Sequence, residues 1–455
     1  MKVVLVRPNF DSHIITPPIG LGYLASALKI FEINVVIIDA LKNNFSNIAL
    51  VGIIEKQNPD IVGITCLTAF YNETIELSLL LKQKNIKVVI GGVHPTFLPH
   101  QTLLESNCDY VILGEGEIAL RKLVQNNGLN NNIQGVYSKY DFEKIDFKPI
   151  KAEIVQNLDD IPFPDWEQIN PSDYKFAPHG AIVKNFPIGV LMSTRGCPYE
   201  CTFCASPKFY DRKIRFRSPE NVVAEIKLLV NNFGVKEIHF EDDNITLKRS
   251  HIEQICNLII TEKIKISWAC PNGIRADKVD ESLIKLMKKS GCYYFAYGIE
   301  STNQQILNSI KKDENINNIK KSIETADKIG ISCQGFFILG LPGETCETLE
   351  DTIRFAKKSK LSRAQFSILD VLPGSELWDN LKAEFTPDWR KKSFKEPEWL
   401  PQGISKQELI DAQPKAFREF YLKSPTRLIK LLRYFKIRQL KYLLRRLKDY
   451  RITKK

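Results

Sequence analysis

Residues 195–204 read Arg195-Gly196-Cys197-Pro198-Tyr199-Glu200-Cys201-Thr202-Phe203-Cys204, and they follow directly on the apolar run 187–192. Three cysteines therefore lie on one loop after a predicted strand. Three thiolates on one loop can bind three irons of a cubane cluster and leave the fourth iron open to a substrate. Structural zinc, the alternative, would need a fourth Cys or His at matching spacing, and none lies nearby. The segment predicts a [4Fe–4S] site held by Cys197, Cys201 and Cys204.

Strand-like runs continue beyond this loop and alternate with helical patterns. Six such units indicate a partial (β/α)6 barrel, in which the reaction takes place at the carboxyl ends of the strands. The predicted barrel strands are 187–192, 237–240, 266–270, 293–297, 332–339 and 364–369.

The first 125 or so residues carry five short apolar runs that do not alternate with polar residues, a pattern typical of parallel strands buried on both faces. With helical patterns between them they predict an α/β, doubly wound parallel sheet that binds ligands outside the carboxyl ends of its strands. Such a fold also binds flavins and dinucleotides, but no G-x-G-x-x-G follows the first run. The runs are 3–6, 35–38, 61–64, 88–90 and 110–113.

A chain of 455 residues is expected to form two or three domains. We expect a sheet domain over 1–130, a linker over 131–185, the barrel over 186–380, and a helical basic region over 381–455. No long apolar window or secretory leader is present, which predicts a cytoplasmic protein. Its ten cysteines, of which one trio is tightly spaced, indicate a metal or redox site rather than a disulfide framework.

The loop with three cysteines resembles the signature of the radical S-adenosylmethionine (SAM) superfamily, C-x-x-x-C-x-x-C after the first barrel strand. The resemblance implies that the open iron binds SAM and that reduction cleaves SAM to a 5′-deoxyadenosyl radical. Arg275 is implied to pair with the SAM carboxylate, and a surface or structural salt bridge is an equal alternative for this residue. The SAM-binding residues that the resemblance implies are Phe203, Glu241, Asp242, Arg275, Glu300, Ser301 and Gly340.

The N-terminal half resembles the flavodoxin-like cobalamin-binding domain of one radical SAM subclass, which contains anaerobic magnesium-protoporphyrin ester cyclase and C- and P-methyltransferases. The similarity rests on glycine-containing segments after the first, fourth and fifth strands. His13 is a candidate cobalt ligand, although 11–16 depart from the D-x-H-x-x-G motif at the last position. The implied cobalamin-binding residues are Pro18, Gly20, Thr65, Gly91, Gly92, His94, Gly114, Glu115 and Gly116.

Membership of this group implies methylation of an unactivated carbon through the adenosyl radical and methylcobalamin. The substrate would be a small or lipid-like molecule, and the electron donor a flavodoxin or ferredoxin. Oxidative cyclisation or rearrangement without methyl transfer is the second reading. The sequence does not reveal the substrate.

The net charge of +11 is concentrated in the last 33 residues, where thirteen Lys or Arg stand against Asp449. Regularly spaced leucines between these charges indicate a basic amphipathic helix. Three roles are open for this helix: packing on the barrel, contact of 424–455 with a membrane surface, or binding of nucleic acid in an RNA-modifying enzyme. RNA readers more often add stacking aromatics or a recognisable module, so nucleic acid is the least favoured partner.

Overall fold

The computed structural model describes residues 1–12, 14–174, 183–392, 396–424, 427, 435–440 and 444. The chain forms two compact units, Met1–Asp173 with Pro387–Lys392, and Tyr174–Thr386 with Ser393–Lys455. Within the described part of the chain, every helix is too short or too polar to cross a bilayer.

The first unit is built on one sheet, in the strand order β2-β1-β3-β4-β5-β6. All neighbouring strands are parallel except β6, which is antiparallel to β5. The strands are β1 (Lys2–Arg7), β2 (Asn34–Asp39), β3 (Ile61–Thr65), β4 (Val88–Gly91), β5 (Tyr110–Ile112) and β6 (Val136–Tyr137). The helices are α1 (Ile19–Lys29), α2 (Ala40–Asn43), α3 (Asn47–Glu55), α4 (Tyr71–Gln83), α5 (Val93–Phe97), α6 (Pro99–Ser106) and α7 (Glu117–Gln125).

The predicted doubly wound sheet is confirmed. Helices α1 and α7 contact each other, and α4 contacts both α3 and α6. Because helices cover the sheet, its central strands are buried on both faces, and Val3–Val6 are at most 1% exposed. This explains why those runs are continuously apolar.

The second unit holds six parallel strands in the order β14-β13-β12-β11-β10-β7. Within the described residues β7 and β14 do not pair, so the sheet is an open, partial barrel, as predicted. The strands of this unit are β7 (Ile188–Leu191), β8 (Thr194–Arg195), β9 (Arg215–Phe216), β10 (Glu237–Phe240), β11 (Ser267–Ile274), β12 (Cys292–Glu300), β13 (Ser332–Leu339) and β14 (Arg363–Ile368).

Helices follow the barrel strands, and α16 continues into a π-helical turn at Arg418–Leu422. Most of the basic tail beyond residue 424 lies outside the described residues. The helices are α8 (Ser206–Phe209), α9 (Pro219–Phe233), α10 (Arg249–Thr261), α11 (Glu281–Lys289), α12 (Gln304–Ser309), α13 (Ile316–Ile329), α14 (Cys346–Lys358), α15 (Glu376–Leu381) and α16 (Lys406–Phe417).

The segment expected to be a linker is largely packed onto the first unit. Trp166 and Ile169 are at most 2% exposed. The Gln168 side chain accepts a hydrogen bond from the backbone of Ile37 and donates one to that of Val35, both on β2. An edge strand needs cover for its unpaired backbone groups, and this segment provides it.

Candidate functional site

The loop with three cysteines begins directly after β8. Gly196, with φ 99°, opens it, and a Cβ there would lie 2.1 Å from the carbonyl oxygen of Lys213, so only glycine fits. Cys197, Cys201 and Cys204 are half-buried. Of the seven remaining cysteines, Cys346 is exposed and the others are buried: Cys66, Cys108, Cys256, Cys270, Cys292 and Cys333.

The chemistry of these three thiols fits a metal cluster. Burial raises the pKa of Cys197 and Cys201, and that of Cys204 to about 12, so their thiolates need a cation. Among the described residues, no three His, Cys, Asp or Glu side chains converge on a single ion. The role of the three cysteines as cluster ligands stays a prediction.

Two carboxylates after β10 flank the loop. Asp242 is 3% exposed and accepts hydrogen bonds from the Ser193 backbone N–H, the Ser193 hydroxyl at 2.7 Å and the Thr194 hydroxyl at 2.6 Å, before the loop. Asp243 accepts a bond of 2.6 Å from the Ser206 hydroxyl, after the loop. Asp242, predicted to receive the SAM ammonium, therefore bonds to the protein itself. Glu241, its half-buried neighbour, stays a predicted SAM-binding residue.

Arg275 is 5% exposed, and protein groups surround its guanidinium. Its Nη1 donates to the carbonyl oxygen of Lys312 at 2.7 Å, and its Nε donates to Asp277 at 2.9 Å. The guanidinium carbon lies 3.8 Å from the ring centroid of Tyr199, in the cysteine loop. This arrangement favours the structural salt bridge over the predicted pairing with SAM.

Glu300 lies at the end of β12 with φ 63°, a conformation that is uncommon for residues other than glycine. Its carboxylate is 3.3 Å from the Lys312 ammonium, which is 3.5 Å from Glu314. Burial alone would lower the pKa of Lys312, but the two carboxylates raise it above its ordinary value. Lys312 and Glu314 were missed at the sequence level, since Lys311-Lys312-Asp313-Glu314 is typical of a solvated charged run.

Phe203 packs against an apolar cluster that contains Leu341, the residue after Gly340. Gly340 has φ 91°, and its N–H donates to Glu344. Ser301 is fully buried, and its hydroxyl accepts a hydrogen bond from the Asn303 backbone.

Four predicted cobalamin-binding positions cluster at the carboxyl edge of the first sheet. Thr65 pairs in register with Gly91, and a Cβ on Gly92 would lie 2.5 Å from the Cys66 carbonyl oxygen. The N–H of Gly114 donates to the Thr96 hydroxyl at 2.9 Å. A Cβ on Gly91 would make only an ordinary contact with Ile112, at 3.9 Å, so packing within the protein does not require glycine there. Glycines at this edge would let a flat macrocycle approach the backbone directly.

The other predicted positions lie at the starts of helices. Pro18 is the N-cap of α1, and Gly20, in its first turn, is exposed. Gly116 is the N-cap of α7, where a Cβ would come within 3.1 Å of Leu24 on α1. Glu115 is buried beside it. Because α1 and α7 follow β1 and β5, their N-terminal ends lie at the same edge of the sheet.

His94 lies behind this edge, fully buried. Its ring is 4.1 Å from that of Tyr71, and its Nδ1 is 3.1 Å from the Thr68 hydroxyl. Nε2 has no hydrogen-bond partner among the described residues, and burial lowers the pKa of His94 to about 3. The buried imidazole is therefore neutral, and its part in binding cobalamin stays a prediction. His13, the candidate cobalt ligand, lies outside the described residues.

Comparisons with known proteins find similarities in both halves of the chain. The family model described as the radical SAM superfamily matches residues 191–356, and the one described as the B12 binding domain matches 9–124. An uncharacterized methyltransferase of Pyrococcus horikoshii is 35% identical over 94% of each chain. Anaerobic magnesium-protoporphyrin IX monomethyl ester cyclase of Cereibacter sphaeroides is 30% identical over 93% of this chain and 71% of its own.

Among solved structures, the cobalamin-dependent SAM radical enzyme OxsB, with aqua-cobalamin and SAM bound, superposes with a TM-score of 0.73. It is 17% identical, over 97% of this chain and 72% of its own. At this identity the likeness concerns the fold.

Proposed function

We propose that this protein methylates an unactivated carbon, because the chain belongs to the family of cobalamin-dependent radical SAM enzymes. The cofactors of that family, a [4Fe–4S] cluster, SAM and cobalamin, are those predicted from the sequence, and this prediction is confirmed. The proposal rests on one observation, a loop with three half-buried cysteines in the same chain as a sheet edge lined with glycines.

When bound, the cluster and SAM supply a carbon-centred radical, and cobalamin supplies a methyl carrier. The residues of the chain hold and orient these groups. Cys197, Cys201 and Cys204 would hold the cluster, and Asp242 fixes the segment before them. The backbone at Gly91 would admit the corrin.

Anaerobic reconstitution with iron, sulfide and hydroxocobalamin tests the proposal. We expect wild type to retain about four irons, as one cubane requires, and one corrinoid. The triple variant Cys197→Ala, Cys201→Ala, Cys204→Ala should lose the iron and keep the corrinoid. Cys346→Ala, which removes an exposed thiol elsewhere, is the matched control and should keep both. A wild-type protein with cluster and no corrinoid would refute methyl transfer.

The second candidate function is oxidative cyclisation or rearrangement without methyl transfer. It is favoured by the 30% identity to a relative whose name is that of a cyclase. Incubation of the reconstituted enzyme with SAM labelled in its methyl group distinguishes the two. Methyl transfer puts the label into the product, whereas cyclisation leaves the product unlabelled.

The substrate class is a small molecule, and we propose that it is lipid-like. The electron donor would be a flavodoxin or a ferredoxin. The donor can be tested by following cleavage of SAM with a flavodoxin and with a ferredoxin in turn.

Contact of the tail with a membrane surface is a separate proposal. Arg427 is buried and donates hydrogen bonds to the carbonyls of Ala356, Lys357 and Ser359, at the end of α14, which anchors the start of the tail. Farther along, apolar side chains stay in solvent among basic residues, a pattern that suits an anionic bilayer. The exposed fractions are 85% for Ile437, 44% for Leu440 and 56% for Leu444.

Co-sedimentation with vesicles rich in phosphatidylserine tests this contact. The variant Ile437→Gln, Leu440→Gln, Leu444→Gln keeps the charge and the Arg427 anchor, so it isolates the apolar contribution. We expect it to pellet less than wild type, and a protein truncated after Ser424 to pellet least. Equal pelleting of all three would eliminate the membrane proposal.

A further inference from the structure

Three charged side chains are buried together beside the cysteine loop. Lys312, Glu300 and Glu314 are at most 7% exposed, and the Lys312 ammonium lies 3.3 and 3.5 Å from the two carboxylates. Oε1 of Glu314 also accepts a hydrogen bond of 2.8 Å from the Ala276 backbone. An ammonium between two carboxylates stays charged, although burial of an unpaired charge would be costly.

This trio is tied to the cysteine loop by two independent contacts. The N–H of Thr202, the residue after Cys201, donates to the carbonyl oxygen of Ile310 at 3.0 Å. Arg275 donates to the carbonyl oxygen of Lys312 and stacks on the ring of Tyr199 in the loop. The segment that carries Lys312 is therefore held beside Cys201 from both sides.

The ammonium lies at the carboxyl end of β12, because its partner Glu300 is the last residue of that strand. The carboxyl ends of the parallel barrel strands are also the end of the barrel at which the cysteine loop lies.

A fixed positive charge favours the more negative of two redox states. Reduction adds one electron to a cluster, and the potentials of such clusters depend on nearby net charge and on hydrogen bonds to sulfur. Inside a protein this interaction is stronger than in water, because the effective dielectric constant is lower. Lys312 would therefore ease reduction, and each carboxylate would oppose it.

We propose that Lys312 is a positioning residue that raises the reduction potential of the cluster at Cys197, Cys201 and Cys204, with Glu300 and Glu314 fixing its ammonium beside the cysteine loop. This role rests on the proposed assignment of those cysteines to the cluster. The electron itself comes from an external one-electron donor of the flavodoxin or ferredoxin class.

The test is a redox titration of the full-length, anaerobically reconstituted protein, followed by electron paramagnetic resonance of the reduced cluster. In Lys312→Met the ratio of reduced to oxidised cluster at a given potential should fall about tenfold, which is a negative shift of about 59 mV for one electron. Lys312→Arg keeps the charge and should stay near wild type. The matched control is Lys311→Met, whose exposed lysine pairs with Glu376, and it should not shift.

A second variant covers the case in which Lys312→Met does not hold a cluster. Glu314→Gln keeps the acceptor for Ala276 and removes one negative charge, so the potential should shift in the positive direction. No shift in Glu314→Gln, or equal potentials in Lys312→Met and Lys311→Met, would overturn the role of Lys312. A wild-type protein that binds no cluster would instead overturn the cluster assignment.

Discussion

The carboxyl edges of the two sheets differ in chemistry although both follow parallel strands. The edge of the first sheet carries Gly91, Gly92 and Gly114, with the neutral ring of His94 behind them. The edge of the barrel carries buried or half-buried charges, with Arg275, Glu300 and Lys312 linked to one another. Parallel strands therefore end in glycine backbone in one unit and in an ionic network in the other.

The difference matches what each edge is proposed to hold. A corrin is broad and flat, so side chains would keep it away from the backbone, and glycine removes them. SAM and a cluster carry charge, which a low-dielectric site stabilises only with fixed partners. The following predictions test this contrast, in order of decreasing effect.

Arg275→Ala should have the largest effect, because Arg275 joins the ionic network to the cysteine loop. Removing one partner of a buried ion pair costs about 3–5 kcal/mol, and we expect unfolding at lower denaturant and poor iron loading. Denaturant titration and iron counts measure both. Arg249→Ala, which removes exposed ion pairs, should cost at most about 1 kcal/mol. Equal losses in the two variants would contradict the network.

Gly92→Ala should damage the first edge without touching the barrel. The Cβ would lie 2.5 Å from backbone at Cys66, at a φ of 118°, and such strain costs about 1–3 kcal/mol. We expect weaker corrinoid retention and unchanged iron content. Gly52→Ala, within α3 where a Cβ meets nothing, should instead stabilise by about 1 kcal/mol. Normal corrinoid content in Gly92→Ala would show that this edge tolerates a side chain.

The variants Glu241→Gln and Asp242→Asn distinguish which of two adjacent carboxylates binds SAM. The hydroxyls of Ser193 and Thr194 bond to Asp242, so we expect Glu241 to be the one that meets SAM. Its variant should raise the Kd for SAM about tenfold, or about 1.4 kcal/mol, whereas Asp242→Asn should change it little. Equilibrium dialysis of the cluster-loaded enzyme measures both constants. A larger effect in Asp242→Asn would reverse this assignment.

His94 predicts a pH dependence of the first unit. Its pKa is lowered from 6.5 in the unfolded chain to about 3 in the fold, so the folded state binds fewer protons. The resulting stability is complete above pH 6.5 and is lost as the pH falls toward 3, at up to about 1.4 kcal/mol per pH unit. Chemical unfolding at pH 7 and 5.5 measures the loss. His94→Phe should flatten this slope, and an unchanged slope would exclude His94 as its source.

The sequence supported some predictions better than others. The bounds of β10 and β13 agree with those predicted. The linker predicted over 131–185 packs on the first unit as far as Asp173, and its many prolines and acids obscure the few apolar side chains that do so. Residues 387–392 also join that unit, with Trp389 edge-on at 6.0 Å from His94, and no local pattern indicates a contact so distant in sequence.

By itself, the sequence determined the two folds, the family and its cofactors. Cysteine spacing, strand periodicity and glycines after strands are local features, and local features can be read along a chain. Only the tertiary structure decided which charges form a network. Lys312 and Glu314 belong to a charged run of the kind usually found in solvent. The residues around Arg275 in the sequence do not indicate that its guanidinium donates to the carbonyl oxygen of Lys312 and stacks on Tyr199. Burial and pairing depend on side chains far apart in sequence, and these determine whether a charged residue is on the surface or part of a site.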